Sequence, residues 1–284
     1  EGWALLNSLG PYLESESLKL NTELRKAGHS PELVAAVLTQ ARLRMKARAK
    51  FGPFAEHMLF TPAGLEQATR LNVAALHAQR YQEARLERVA DLGCGIGADS
   101  LALATLDRQV TAVELDEITA AVATINLMPW PEAKVVQGDA ESFDLTGFDG
   151  VWLDPARRTT STSGTSRIFD PEAFSPPLSF VESLADRGMP VGVKLGPGIP
   201  HESVPAGCEV QWVSVGGDVI EATLWFNELR RPGIRRAALV IGPNGAAELT
   251  SHEDYVPGAQ DVRTGPAEGY LYEPDGAVIR AGLV

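Results

Sequence analysis

The chain of 284 residues is 44% apolar and carries 25 Lys and Arg against 37 Asp and Glu, a formal net charge of −12. Such a composition fits one large domain, or a core domain with small additions, and it excludes a protein that coats nucleic acid over its whole surface. No apolar run reaches the roughly 20 residues that span a bilayer. No signal-peptide series opens the chain, and Cys94 and Cys208 form no disulfide or metal pattern, so a cytoplasmic protein with two reduced thiols and no metal is expected.

Residues 3–50 read as helical. In "SPELVAAVLTQARLRMKARAK" Ser30 is placed to cap a helix, Pro31 opens it, and Leu33, Val34, Val37 and Leu38 recur at helical spacing until Gly52-Pro53 stops it. A second helix is predicted from Ala63 to Tyr81 on the period of Leu65, Ala68, Leu71, Ala75 and Leu76. From Arg88 the pattern changes to short apolar runs. Strands are predicted at 88–93, 109–115, 133–138, 148–154 and 190–195, with helices at 98–106 and 116–127. That alternation implies an α/β fold with a parallel sheet. The runs 209–215 and 219–226 are separated by Gly216-Gly217-Asp218, a hairpin signal, so the sheet should close on an antiparallel pair. The tail from Leu229 is rich in Gly, Pro and charge, with one strand-like run at 237–242, and "TTSTSGTS" (159–166) reads as a polar loop.

The turn "DLGCGIG" spaces Asp91, Gly93, Gly95 and Gly97 between the first strand and its helix. Glycines there let backbone approach a ligand that a Cβ would hold off. The acid separates the candidates: Asp91 would repel a pyrophosphate but suits a ligand bearing ammonium and sulfonium charge. Glu114 closes the second strand, where an acid accepts from both hydroxyls of a ribose. Asp139, with Ala140 beside it, follows the third strand, where a carboxylate accepts from an adenine amine. Three acids at successive strand ends line the crevice in which open α/β sheets bind ligands.

In order, "VADLGCGIGADS", "VTAVELD", "VVQGDAESF" and "FDGVWLDPAR" resemble the motifs of class I S-adenosylmethionine-dependent methyltransferases over about residues 60–230. The resemblance implies a seven-stranded Rossmann-like sheet with a reversed final hairpin, preceded by a helical region and followed by a small α+β segment. It also implies that Asp91, Gly93, Gly95 and Gly97 surround the methionine part, that Glu114 holds the ribose, and that Asp139 meets the adenine. "MLFTPAGLEQATR" resembles the Thr-Pro segment of trimethylguanosine synthase-like RNA methyltransferases, and on that resemblance Thr61 and Gln67 join the cofactor contacts. The whole arrangement is similar to a bacterial methyltransferase family with a THUMP-like domain at its carboxyl end, and "GYLYEPDGAVIRAGLV" resembles the opening of that domain, most of which would lie beyond Val284. The implied organisation is a helical region at 1–57, a methyltransferase domain at 58–230 and a carboxyl-terminal segment at 231–284.

"LDPARR" ends the fourth predicted strand and resembles the Asp-Pro-Pro-aromatic motif of enzymes that methylate nucleobase amines. Asp154 and the carbonyl of Pro155 are the expected catalytic groups, orienting an acceptor nitrogen for in-line attack. Ala156 replaces the second proline and Arg157 the aromatic, although a guanidinium can stack on a base or bind phosphate. Arg157, Arg158 and Lys194 are therefore the candidate substrate contacts, with RNA as the expected partner. "DPAR" also resembles uracil C5-methyltransferases, but no cysteine nucleophile follows the fifth strand, which ends in "KLGPGIP". Basic clusters at Arg42–Lys50 and Arg230–Arg236 are open to two readings, a solvated face or an RNA-contacting one. The histidines read as surface or capping residues, and Trp130, Trp152, Trp212 and Trp225 as core.

Overall fold

Helices fill the amino-terminal region: α1 (Gly2–Ser8), α2 (Ser17–Lys26) and α3 (Pro31–Phe51). The computed structural model describes residues 1–157, 170–252, 269–270 and 272–284, so the polar loop 159–166 lies outside the described residues. The Ser30 hydroxyl caps α3 by accepting from the Leu33 amide at 3.2 Å, Pro31 takes the first position, and Gly52 ends the helix at φ 55.

The helix expected over 63–81 is two helices instead, α4 (Pro62–Gln67) and α5 (Leu71–Glu83). Ala68 and Arg70 are extended, each with ψ 138. Tertiary contacts override the helical period there. The Lys50 ammonium takes the carbonyls of Leu65, Glu66 and Ala68 at 2.9, 2.6 and 2.7 Å, and the buried Thr69 donates to Asp99 Oδ2 at 2.7 Å. Carbonyls held by an ammonium have no need of a following helical turn.

The chain divides into two compact units, Glu1–Phe148 and Asp149–Val284. In the first, β1 (Arg88–Leu92), α6 (Ala98–Thr105), β2 (Gln109–Glu114), α7 (Glu117–Leu127) and β3 (Ala133–Gln137) alternate. The strands are parallel, with Asp91 opposite Ala112 and Glu114 opposite Gln137. Residues Ala98 to Ala104 of α6 are all buried, which suits a helix that is apolar on nearly every side. The core of this unit joins Phe51, Phe60, Leu65, Ile96, Leu101 and Leu127. Each such side chain stabilises the fold by about 1.5–3 kcal/mol relative to exposure.

The second unit holds β4 (Gly150–Leu153), β5 (Ala156–Arg157), β6 (Phe174–Ser175), α8 (Leu178–Asp186), β7 (Val191–Leu195), β8 (Glu209–Val215), β9 (Asp218–Phe226), β10 (Ile234–Gly242), β11 (Gly245–His252) and α9 (Gly276–Ala281). Six strands lie in the order β11-β10-β8-β9-β7-β4, and the short β5 and β6 pair apart from them. β4 runs parallel to β7, β9 antiparallel to both β7 and β8, and β8 parallel to β10. Val215 faces Asp218 across the glycine turn. Trp152, Trp212 and Trp225 are buried here, with the rings of Trp152 and Trp225 5.7 Å apart.

The strand count differs from the sequence reading. Leaving the β5–β6 pair aside, the described residues hold nine strands, three in the first unit and six in the second, against seven expected. The additions are β10, which covers the predicted run at 237–242, and β11, whose side chains are mostly exposed and so lack an apolar period. Among the described residues no helix is long and apolar enough to cross a membrane.

Candidate functional site

The turn after β1 is built by backbone. Gly93, Gly95 and Gly97 have φ of 87, 56 and 88, a region that L side chains rarely adopt. The amides of Gly93 and Cys94 both donate to the Val113 carbonyl, at 2.9 and 3.0 Å, which pins the turn to β2. At Gly97 a Cβ would also lie 3.3 Å from Leu127 of α7.

The acids meet this turn from neighbouring strand ends. Asp91 is buried and its Oδ2 accepts from the Ser100 hydroxyl at 2.5 Å. Glu114 reaches across, Oε2 accepting from the Gly95 amide at 2.9 Å while Oε1 accepts from the Asp116 amide at 2.9 Å. Gly138, after β3, donates to the Glu114 carbonyl at 3.0 Å. Asp139 follows it, exposed, with Oδ1 accepting from the Glu141 amide at 3.0 Å, and Ala140 beside it is half-buried. The three carboxylates therefore stand at the same ends of three adjacent parallel strands.

The potential at the turn can be read from Cys94. Burial pushes its thiol well above the usual range, and the carboxylates of Asp91 and Glu114 push it further. Negative charge that resists forming a thiolate favours a cation. This donor set fits a ligand with ammonium and sulfonium groups, and it fits a pyrophosphate poorly.

A strap at Met58–Thr61 lies against the same turn, held by residues that no sequence pattern singles out. Buried Asn126 of α7 accepts from the Leu59 amide at 2.7 Å and donates to the carbonyls of Leu59 and Ile96 at 3.0 Å each. Gln40 of α3 exchanges two bonds with Phe60, at 2.8 and 3.0 Å. A Cβ on Gly64 would fall 2.4 Å from Ile96 Cγ2, so α4 rests on the glycine turn through a bare backbone. Thr61 caps α4, its hydroxyl accepting from the Gly64 amide at 3.0 Å, and Gln67 is exposed. An asparagine inside a helical period carries no signal distinguishing such a tie from a surface residue.

In the second unit, β4 is buried along its length and ends in Asp154-Pro155. The chain then turns into β5, whose Ala156 and Arg157 pair with Ser175 and Phe174. Leu153 lies opposite Val193 in parallel register, which sets Asp154 beside Lys194, and Asp154 Oδ2 is 2.6 Å from the Lys194 ammonium. The side chains are 32% and 12% exposed. Lys194, expected among the substrate contacts, thus holds the carboxylate expected to be catalytic. Arg158 lies outside the described residues, and only the backbone of Arg157 is described.

Several residues of the two basic clusters make contacts within the fold. Arg44 is buried, Arg48 pairs with Glu56, and Lys50 holds α4, while Arg42, Lys46 and Arg48 are exposed. Arg231 binds the fully buried Glu209 and also Glu248, and its Nη2 lies 2.6 Å from Glu209 Oε1. Arg230 donates to Gly207 O, Arg235 to Cys208 O and Pro205 O, and Arg236 to His201 and Ala281 O. His77 is also not at the surface: it is buried, with Nδ1 2.8 Å from Asp99 Oδ1. Sequence spacing cannot separate a basic patch from arginines that satisfy buried carbonyls and acids.

Comparison with known proteins bears on the family of the chain. Residues 89–162 match the methyltransferase-domain family, and residues 1–47 match a domain family of unknown function, DUF8688. An uncharacterized S-adenosylmethionine-dependent methyltransferase of Mycobacterium tuberculosis, found in strains CDC 1551 and H37Rv, is 33% identical over 271 residues, covering 92% of this chain and 70% of that protein. A crystal structure from Porphyromonas gingivalis W83, solved as a methyltransferase candidate, superposes with a TM-score of 0.69 at 21% identity, covering 96% of this chain and 74% of that one, a likeness of fold. With a glycine turn ringed by carboxylates and a relative this similar along nearly its whole length, the chain belongs to the S-adenosylmethionine-dependent methyltransferases.

Proposed function

We propose that the enzyme methylates a ring or exocyclic nitrogen of an RNA base by direct in-line transfer, with Asp154 and Pro155 orienting the acceptor. S-adenosylmethionine, when bound, supplies an electrophilic methyl on a sulfonium. Asp91, Glu114 and Asp139, with the glycine turn and the strap that carries Thr61 and Gln67, are the residues that would hold it. The carboxylate of Asp154 and the carbonyl of Pro155 accept from the N–H groups of the acceptor and aim its lone pair. The acceptor nitrogen would give up one proton as it takes the methyl group that the cofactor would supply, and the Asp154 carboxylate holding that N–H is placed to receive it.

The observation that carries this reading is the Asp154–Lys194 pair at the end of β4. An ammonium at 2.6 Å favours the ionised carboxylate, which is acceptor-only and therefore suited to N–H groups. Arg157 and Arg158 are the proposed contacts to a base or its phosphate. On the same reading the chain keeps the organisation 1–57, 58–230 and 231–284, with a THUMP-like tail and a cytoplasmic location.

A second reading, a small-molecule or protein acceptor, is favoured by the commitment of Arg44, Arg230, Arg231, Arg235 and Arg236 to contacts within the fold on a chain of net charge −12. Incorporation of tritiated methyl into RNA, protein and small-molecule fractions of cells lacking the gene separates the two. Label in RNA, with one modified nucleoside missing from the deletion strain by mass spectrometry, is the expected result. Label confined to another fraction overturns the RNA assignment.

A further inference from the structure

Among the amino-terminal helices is a cavity of about 330 Å³ that methyl transfer does not use. Ala41, Arg44, Met45 and Arg48 of α3 line it at i, i+3, i+4 and i+7, a single face of the helix. Leu6 and Leu9 close the apolar side, with Tyr12 from the segment after α1. The volume is at the lower end of small-molecule sites, which run from about 300 to 1,000 Å³.

The charges on this wall are unbalanced. Arg44 and Arg48 are like charges one turn apart, an arrangement that destabilises a helix unless an anion compensates. Glu56, also in the wall, is held by Arg48. Arg44 is 9% exposed and its partners are neutral: Nε donates to Met58 O at 2.9 Å, Nη1 to Asn7 Oδ1 at 2.8 Å, and the Trp3 ring centre lies 5.1 Å away. Nη2 of the same guanidinium finds no acceptor among the described residues. Burial lowers its affinity for the proton, opposed by the charge of Glu56. Two arginines against one glutamate leave one positive charge beside an apolar wall.

We propose that this cavity is a second ligand site, binding a small organic anion that carries a carboxylate or phosphate on a flat apolar body. The anion would be drawn by the Arg44 and Arg48 guanidinium groups, and its body would pack on Leu6, Leu9, Tyr12 and Met45. This assignment does not depend on which molecule receives the methyl group.

The test titrates the full chain with indole-3-acetate, with phenyl phosphate, and with the neutral indole-3-acetamide, followed by calorimetry or protein NMR. Saturable binding of at least one anion, about tenfold tighter than the amide, is expected from a charge-assisted hydrogen bond. Comparing the two anions tells carboxylate from phosphate. Arg44→Gln should abolish binding but could also disturb the helices, so Met45→Trp is the second variant. Met45 is 36% exposed, and the larger ring would fill the cavity from its mouth. It should weaken the anion about tenfold or more and leave S-adenosylhomocysteine affinity within about twofold. No saturable binding of either anion, equal binding of the amide, or unchanged binding to Met45→Trp would overturn the proposal.

Discussion

The turns after β1 and β4 each follow a parallel strand with an acid at its carboxyl end, yet they are different devices. Asp91 is 1% exposed and is held by a neutral donor, the Ser100 hydroxyl, so its charge adds to a negative field that also includes Glu114. Asp154 is one-third exposed and faces an ammonium, so its charge is balanced while the carboxylate remains within reach of a partner. The first arrangement suits holding a cation. The second suits engaging the N–H groups of a neutral acceptor without repelling a nucleic acid. Chemistry at the second turn should therefore be separable from binding at the first.

The most direct way to break the comparison is Asp154→Ala. If that carboxylate aims the acceptor, methyl transfer on the true substrate should fall by about 10²–10³, the cost of losing one preorganised polar group in an active site. Calorimetry with S-adenosylhomocysteine should give nearly the parent affinity. Full transfer by the variant would remove Asp154 from the mechanism, and lost cofactor binding would show that the two turns are not independent.

Gly64→Ala tests the first turn through packing alone. The added Cβ would fall 2.4 Å from Ile96 Cγ2 and 2.7 Å from Thr61 Oγ1, and Ile96 is buried with little room to retreat. Overpacking of that kind costs about 1–3 kcal/mol. The melting temperature and the cofactor affinity should fall together, because the displaced residue belongs to the glycine turn. Gly95→Ala is the complementary probe: its Cβ would meet open space, so any loss there comes from the φ of 56 alone.

How much of this was legible in the sequence follows from the same contrast. The glycine turn was visible because it rests on backbone: glycines in the left-handed region and acids one strand apart leave a recognisable spacing. The Ser30 cap and the Gly216-Gly217 turn were visible for the same local reason. Asn126, Lys50 and the Asp99–His77 contact were not, because each joins groups far apart in the chain, and such a partner leaves no local period. The two basic clusters stayed open between a solvated face and an RNA-contacting one. Their composition was read correctly, but carbonyls such as Gly207 O and Pro205 O that absorb the guanidinium groups have no signature in sequence. The motif singles out Asp154 as a candidate, and its pairing with Lys194 follows only from the register of β4 on β7.

Lys194→Met sharpens the second half of the comparison. Removing the ammonium leaves Asp154 in place with looser orientation, and water can replace part of the lost attraction at a group one-third exposed. Turnover should fall about ten- to a hundredfold, less than in Asp154→Ala, with KM for S-adenosylmethionine nearly unchanged. Arginine at the same position should restore part of the rate. A variant with unaltered turnover would mean that the pair only stabilises the strand ends.

The smallest expected effect probes the field at the first turn without any substrate. A thiol alkylates through its thiolate, and Cys94 is held well above the usual range by burial and then by the carboxylates of Asp91 and Glu114. A raised value means less thiolate at neutral pH, so iodoacetamide should modify Cys94 slowly in the parent chain. Glu114→Gln removes one negative charge while keeping an oxygen for the Gly95 amide. The thiol should then release its proton more readily and alkylate a few-fold faster, since one pKa unit changes the thiolate fraction about tenfold. Cys208 serves as the internal reference, because its thiol is also raised by burial but faces Arg235 instead of the two acids. Peptide mass spectrometry of the labelled chain reads both sites at once. Acceleration at Cys94 alone would assign the field to the strand-end carboxylates, whereas equal rates in parent and variant would leave the glycine turn without the negative potential that makes it fit for a cationic donor.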